Sequence, residues 1–138
     1  MTSLAIVEAK LDAWPAEPDG PSAARSLLAL AEEVLEQWIL ARGETPTKEQ
    51  REGFRLLALH RQGAQGDPSF NACRETCREI AYHYNLLNLQ PDPQLDEQRQ
   101  RMMAMLAKHL ALFVAGKMQS AKLGEFCCSS RALRTASA

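Results

Sequence analysis

Apolar residues recur every three or four positions along most of the chain, which is the spacing of α-helices with one buried face. The first such stretch is short and runs from Ser3 to Trp14. Three prolines between residues 15 and 21 exclude a helix there and predict a linker. A longer amphipathic stretch follows from Ser22, a good N-cap residue, to about Arg42. The pattern therefore predicts a short first helix, a linker and a long second helix.

The remaining chain shows the same periodicity and predicts three further helices, over residues 47–62, 68–89 and 94–123. The segment from Thr47 to Gln50 has the form of a capping box, and Asp67 followed by Pro68 is typical of a helix start. The fourth helix has the most regular pattern, with a seam at intervals of 3, 4, 3, 4 and 3 that consists of Phe70, Cys73, Cys77, Ile80, Tyr84 and Leu87. Such a seam is typical of helices that pack against one another.

The composition supports an all-α fold, since Leu and Ala dominate and β-branched residues are scarce. With 138 residues, the chain is long enough for one domain with its own core. We therefore predict a single-domain bundle of four main antiparallel helices, with the first short helix across one end and a frayed tail at 124–138. The predicted core comprises Leu28, Leu35, Trp38, Phe54, Leu57, Phe70, Cys73, Cys77, Ile80, Tyr84, Leu106, Leu110 and Phe113.

Charge limits the classes of partner, because the formal net charge is only −1. Residues 1–50 carry nine acids and four bases, whereas residues 99–138 carry seven bases and one acid. We expect these two regions to neutralise each other within the fold; the alternative is that the basic C-terminal third contacts phosphate or an acidic partner. We do not expect a nucleic acid to be a partner. No signal peptide is recognisable and no apolar run is long enough to span a membrane, so a cytoplasmic location is predicted.

Two of the four cysteines offer candidate site chemistry. Cys73 and Cys77 lie one helical turn apart, so their thiols share a face and could hold a soft metal or act in redox chemistry. The adjacent Cys127 and Cys128 could in principle complete a four-thiolate set. Both helical cysteines also fall on the apolar seam, where a free cysteine behaves as a small hydrophobic residue. Packing is the favoured interpretation, and a metal-binding or redox role for the pair is the alternative.

No catalytic or nucleotide-binding motif is present, so neither an enzymatic activity nor a cofactor is predicted. The last predicted helix is apolar almost all round, and a single bundle buries only part of such a surface. We therefore predict a non-enzymatic interaction or regulatory module that self-associates or binds a protein partner through this helix. The candidate contact residues are Met102, Met105, His109 and Leu112. The alternative function is a thiol-dependent metal-binding or redox protein that uses Cys73 and Cys77.

Overall fold

The computed structural model describes residues 3–13 and 20–121. Within these ranges the chain forms helices α1 (Leu4–Asp12), α2 (Gly20–Ala41), α3 (Arg55–Ala64), α4 (Arg74–Leu89) and α5 (Asp96–Ser120). The predicted fold class is confirmed: the protein is an all-α bundle of four main antiparallel helices with a short N-terminal helix. Residues 15–19 of the predicted linker and all of the predicted tail at 124–138 lie outside the described residues. The last two linker positions, 20 and 21, were predicted wrongly, because α2 already begins at Gly20 and the first turn of a helix tolerates a proline.

Helix α1 begins where the sequence predicts and ends before Trp14. Ser3 is its N-cap, and the Ser3 hydroxyl accepts a hydrogen bond of 3.3 Å from the Ile6 backbone N–H. Val7 and Leu11 are its buried residues, and the helix packs against both α2 and α5. Burial of this one apolar edge, rather than a strong intrinsic preference, holds so short a helix in place.

The predicted start of the third helix at residue 47 is wrong, because α3 begins at Arg55. Arg51 and Phe54 exchange two backbone hydrogen bonds of 2.9 and 3.0 Å around a tight turn. Its central residues, Glu52 and Gly53, have φ angles of 54° and 87°. Two consecutive left-handed residues cannot belong to a right-handed helix. Instead of capping a helix, the Thr47 hydroxyl accepts a hydrogen bond from the backbone N–H two residues later.

The predicted fourth helix is divided into two parts. Residues Pro68–Cys73 form a 3-10 helix, and the α-helix α4 begins only at Arg74. Proline at the first position and the Phe70 N–H bonded to the Asp67 carbonyl at 3.0 Å start this tighter turn. The 3-10 segment changes the direction of the chain between α3 and α4, so that Phe70 and Cys73 both reach the core.

The core lies between α2, α4 and α5, which make the most extensive contacts in the bundle. Eight of the predicted core residues are buried, namely Leu35, Trp38, Leu57, Phe70, Cys73, Cys77, Ile80 and Leu110. The other five are only half-buried and pack against its rim: Leu28, Phe54, Tyr84, Leu106 and Phe113. Among the described helices, none has the length and apolar character needed to cross a membrane.

Candidate functional site

Cys73 and Cys77 lie inside the bundle at the start of α4. Their exposed fractions are 2% and 0%, so both thiols occupy the buried seam that the apolar spacing predicts. Cys73 is the N-cap residue of α4, and Cys77 follows one turn later on the same face. The structure therefore brings the two predicted thiols together in a dry environment rather than at an open surface. Cys127 and Cys128 lie outside the described residues.

His60 on α3 lies beside the two cysteines, a proximity that the sequence did not predict. The imidazole is buried, and its Nε2 lies 3.2 Å from the Phe70 carbonyl oxygen. The Cys73 thiol donates a hydrogen bond of 3.3 Å to the same oxygen. His60 lies one turn after Leu56 on the buried face of α3, and this spacing was the one signal available in the sequence. We call Cys73, Cys77 and His60 the thiol cluster.

The thiol cluster separates the acidities of its two sulfurs. A hydrogen bond from Cys77 is the main cause that lowers the pKa of Cys73 to about 6; His60 adds to it, and burial opposes it. The same hydrogen bond, together with burial, raises the pKa of Cys77 well above its usual value. Two thiols that interact this strongly titrate as a pair. The cluster therefore favours deprotonation of Cys73 over deprotonation of Cys77, and the hydrogen bond from Cys73 to the Phe70 carbonyl oxygen belongs to the protonated form of Cys73.

This arrangement supplies one thiolate with a neighbouring thiol, which is the minimum needed for reversible disulfide chemistry. The position of Cys73 at the N-terminus of α4 adds the positive end of the helix dipole to the groups that favour a thiolate. Within residues 3–13 and 20–121, no group of three or more His, Cys, Asp and Glu side chains is placed to hold a metal ion. The metal-binding and the redox interpretations of this pair both stay predictions, since Cys127 and Cys128 lie outside the described residues.

An aromatic stack fixes the position of the thiol cluster. The Phe70 ring is fully buried and lies parallel to the Trp38 ring at 5.1 Å, and it also stacks on His60 at 5.5 Å. The Trp38 indole N–H donates a hydrogen bond of 3.0 Å to the Gly63 carbonyl oxygen, which also accepts one of 2.7 Å from Arg42. These contacts join α2, α3 and the 3-10 segment at one point and hold the Phe70 carbonyl beside the thiols.

The second candidate region is the outer face of α5. Met105 and Leu112 are 62% and 66% exposed, Met102 is 38% exposed, and His109 is also exposed. The opposite face of α5 is buried along its whole length. The four predicted contact residues thus form one exposed stripe, and their contact with a partner stays a prediction. Comparisons with known protein families, with curated proteins and with solved structures found no match.

Proposed function

We propose that this protein is a non-enzymatic helical module that associates with a second copy of itself through the outer face of α5. The observation that carries the proposal is the regular exposed stripe on this face. It extends from Gln98 to Gly116 at intervals of 4, 3, 4, 3 and 4 and consists of Gln98, Met102, Met105, His109, Leu112 and Gly116. We call these six positions the α5 stripe. Intervals that alternate between three and four residues are those of a coiled-coil seam.

The α5 stripe is symmetric in sequence, which favours a second copy as the partner. Its intervals read the same in both directions, so a second α5 that runs antiparallel matches it in register. In that register Met102 faces the partner's Leu112, and Met105 faces the partner's His109. A twofold axis near Ala107 would relate the two helices, as in most homodimers. Methionine side chains adapt their shape to such a contact.

The length of the α5 stripe is sufficient for a stable contact between two helices. The 18-residue separation between its end positions corresponds to roughly 27 Å along an α-helix. The small Gly116 has no atom within 4 Å of where a Cβ would lie, so another backbone can approach closely there. Arg101 and Lys108 border the stripe and would form a polar rim around its apolar centre.

The substitution L112E tests this proposal most directly. It places a carboxylate in the apolar stripe of each copy, and we expect a cost of about 1 kcal/mol at each of the two symmetric sites. The Kd for dimerisation then rises roughly thirtyfold. Sedimentation velocity at a series of concentrations measures this Kd for the natural protein and for the variant, and M105E provides a second test of the same stripe.

The matched control is L89E, since Leu89 is 74% exposed but lies at the end of α4, outside the stripe. This variant should dimerise with the Kd of the natural protein. The proposal fails if the natural protein is a monomer at about 100 μM, a concentration at which weak specific dimers form. It also fails if L89E weakens dimerisation as much as L112E does.

As a second candidate function, we infer that the thiol cluster is an oxidation-sensitive switch. The observation that favours it is the convergence of Cys77 and His60 on Cys73. A hydroperoxide would oxidise the Cys73 thiolate to a sulfenic acid and leave as an alcohol. The Cys77 thiol would then attack that sulfur, release water and form a disulfide within one turn of α4. Closing this bond would distort the start of α4, where the core is tightly packed.

The titration of Cys73 provides the test of the thiol cluster. In the variant C127S/C128S, we expect one thiolate to form as the pH rises through about 6, and the second thiol to remain protonated well above pH 9. Thiolate absorbance at 240 nm measures both steps without requiring a reagent to enter the bundle. The further substitution C77S removes the hydrogen bond from the second sulfur and should shift the first step towards that of an ordinary cysteine. Two overlapping steps near pH 8.5 in C127S/C128S would contradict the inference.

A further inference from the structure

A pocket of about 270 Å³ lies between the Arg51–Phe54 turn, α3 and the start of α4. Four arginines line it: Arg51 from the turn, Arg61 from α3, and Arg74 and Arg78 from α4. Arg74 and Arg78 are one turn apart, so their guanidinium groups share the face of α4 that borders the pocket. We call this the arginine pocket. Neither the α5 stripe nor either thiol lines it.

The arginine pocket carries a strong positive charge in a protein whose net charge is −1. Glu52 is the one acidic residue in its lining. Its carboxylate accepts two hydrogen bonds from Arg78, of 3.1 and 3.4 Å, so these two side chains neutralise each other. Hydrogen bonding to Arg78, followed by the charges of Arg78, Arg51 and Arg74, lowers the pKa of Glu52. The formal charge of the lining is therefore +3 with His60 neutral.

Three of the four guanidinium groups have no ion-pair partner in the described part of the chain. No side-chain salt bridge to another described residue is made by Arg51, Arg61 or Arg74. Each of these guanidinium groups has five N–H donors, and none of these donors is hydrogen-bonded to an acceptor in the described residues. Most other arginines of the bundle do have such partners: Arg42, Arg55 and Arg99 each bind a carboxylate. Glu52 is the one counter-charge in the lining, so the excess positive charges repel one another and an anion that binds between them removes an unfavourable interaction.

Neutral donors complete the pocket. The amide side chains of Gln65 and Asn71 line it beside the arginines. An adjoining groove shares Arg51, Arg61 and Gln65 with the pocket. Most of its remaining lining is polar, with Thr45, Thr47, Glu49, Gln50 and Gln62, and Pro46 and Ala58 complete it. A ligand with a charged end and a polar remainder fits this combination.

We propose that the arginine pocket binds the phosphate group of a small phosphate monoester whose hydroxyl-rich remainder lies in the adjoining groove. Guanidinium forks match phosphate oxygens in bidentate geometry, and a dianionic phosphate neutralises most of the excess charge. The volume of the pocket is sufficient for a phosphate group and lies just below the usual range for drug-sized ligands. Sugar and polyol phosphates are the class of compound with this chemistry.

The test uses the full chain and two probes, inorganic phosphate and glucose 6-phosphate, in calorimetric titrations at constant ionic strength. We expect saturable binding of one phosphate per chain with a Kd of about 1 mM or tighter, and tighter binding of the sugar phosphate. The double variant R61Q/R74Q removes two unpaired guanidinium groups and should weaken binding by at least about tenfold. Neither side chain makes an internal ion pair, so the variant should keep the circular dichroism spectrum and the Tm of the natural protein.

The matched control is K10Q/R25Q, which removes two exposed positive charges on α1 and α2, outside both the arginine pocket and the α5 stripe, and should leave both affinities unchanged. Three outcomes would overturn the proposal: no saturation with either probe, an equal loss of affinity in the control, or equal binding of acetate at the same ionic strength. Equal affinity for phosphate and glucose 6-phosphate would overturn the assignment of the adjoining groove. Dimerisation is measured separately with L112E, so failure of that proposal leaves this result unaffected.

Discussion

The substitution F70A should lower the free energy of unfolding by about 3–5 kcal/mol, the usual cost of replacing a buried phenylalanine by alanine. Phe70 is fully buried and its ring contacts those of Trp38, His60 and Phe113 at centroid distances of 5.1–5.5 Å. These rings belong to α2, α3 and α5, so the cavity opens where three helices meet the 3-10 segment. The surrounding side chains are held by hydrogen bonds and stacking, which limits how far they can collapse into it.

Urea denaturation followed by circular dichroism measures this change. The matched control is Y82A, because Tyr82 is an aromatic residue of α4 that is 59% exposed. Its removal should change stability by less than about 0.5 kcal/mol, as is usual for an exposed site. If F70A costs no more than Y82A, the Phe70 ring does not occupy the centre of the bundle. F70A should also make Cys73 more reactive towards alkylating reagents, because the carbonyl that binds its thiol loses its support.

The regular parts of the fold were predictable because they depend on local periodicity. From Cys77 to Leu87 the seam repeats at three and four residues, which indicates an amphipathic helix packed against a core, and this part of the prediction agrees with α4. The same spacing did not reveal that Phe70 and Cys73 lie in a separate 3-10 helix. The segment from Thr47 to Phe54 was predicted wrongly because a threonine followed by acidic and amide residues suits both a helix start and a turn. The left-handed angles of Glu52 and Gly53 decided between them, and they depend on contacts that the local sequence does not specify.

The two candidate sites differ in the same way. The stripe that contains Met102, Met105, His109 and Leu112 follows from helical spacing within one element, and all four residues are exposed as a contact role requires. That they contact a partner stays a prediction. The thiol cluster needed a tertiary contact, because His60 lies on α3 and reaches Cys73 only through the turn at Pro68–Cys73. The spacing of residues along α4 predicts that the two thiols lie together, but it contains no information on the His60 imidazole.

The arginine pocket could not be predicted from counts of charged residues along the sequence. Residues 51–98 contain seven acids and five bases, which gives no sign of a basic site. Yet four of those five bases line one pocket, whereas the acids of the same segment, apart from Glu52, lie elsewhere. Folding therefore brings positive charges together that are interspersed with negative charges along the sequence. A charge count along the chain tests the field of the whole molecule and does not test individual pockets.

The substitution G63A should destabilise the protein by about 1–3 kcal/mol, although alanine is the better helix former. A Cβ at Gly63 would lie 2.9 Å from Trp38 Cδ1 and 3.0 Å from Phe70 Cε2. Neither ring can move aside, because they stack on each other and the Trp38 indole N–H is bonded to the Gly63 carbonyl oxygen. The added methyl group must therefore push α3 away from the aromatic stack. The free-energy cost of this displacement exceeds the free energy gained from the higher helix propensity of alanine.

The matched control is G116A, for which we expect the opposite effect on stability. Gly116 also lies within a helix, but nothing in the described part of the same copy is found within 4 Å of its Cβ position. We therefore compare both alanine variants in the L112E background, where the proposed dimer contact at Gly116 is weakened, and expect G116A to stabilise the protein there by about 1 kcal/mol. Urea denaturation should then separate the two alanine variants by about 2–4 kcal/mol, the sum of the overpacking cost and the propensity gain. Equal stabilisation by both would show that α3 does not pack closely on Trp38 and Phe70. The closeness of that contact is what keeps His60 and the Phe70 carbonyl beside Cys73, so the same measurement also tests the framework of the thiol cluster.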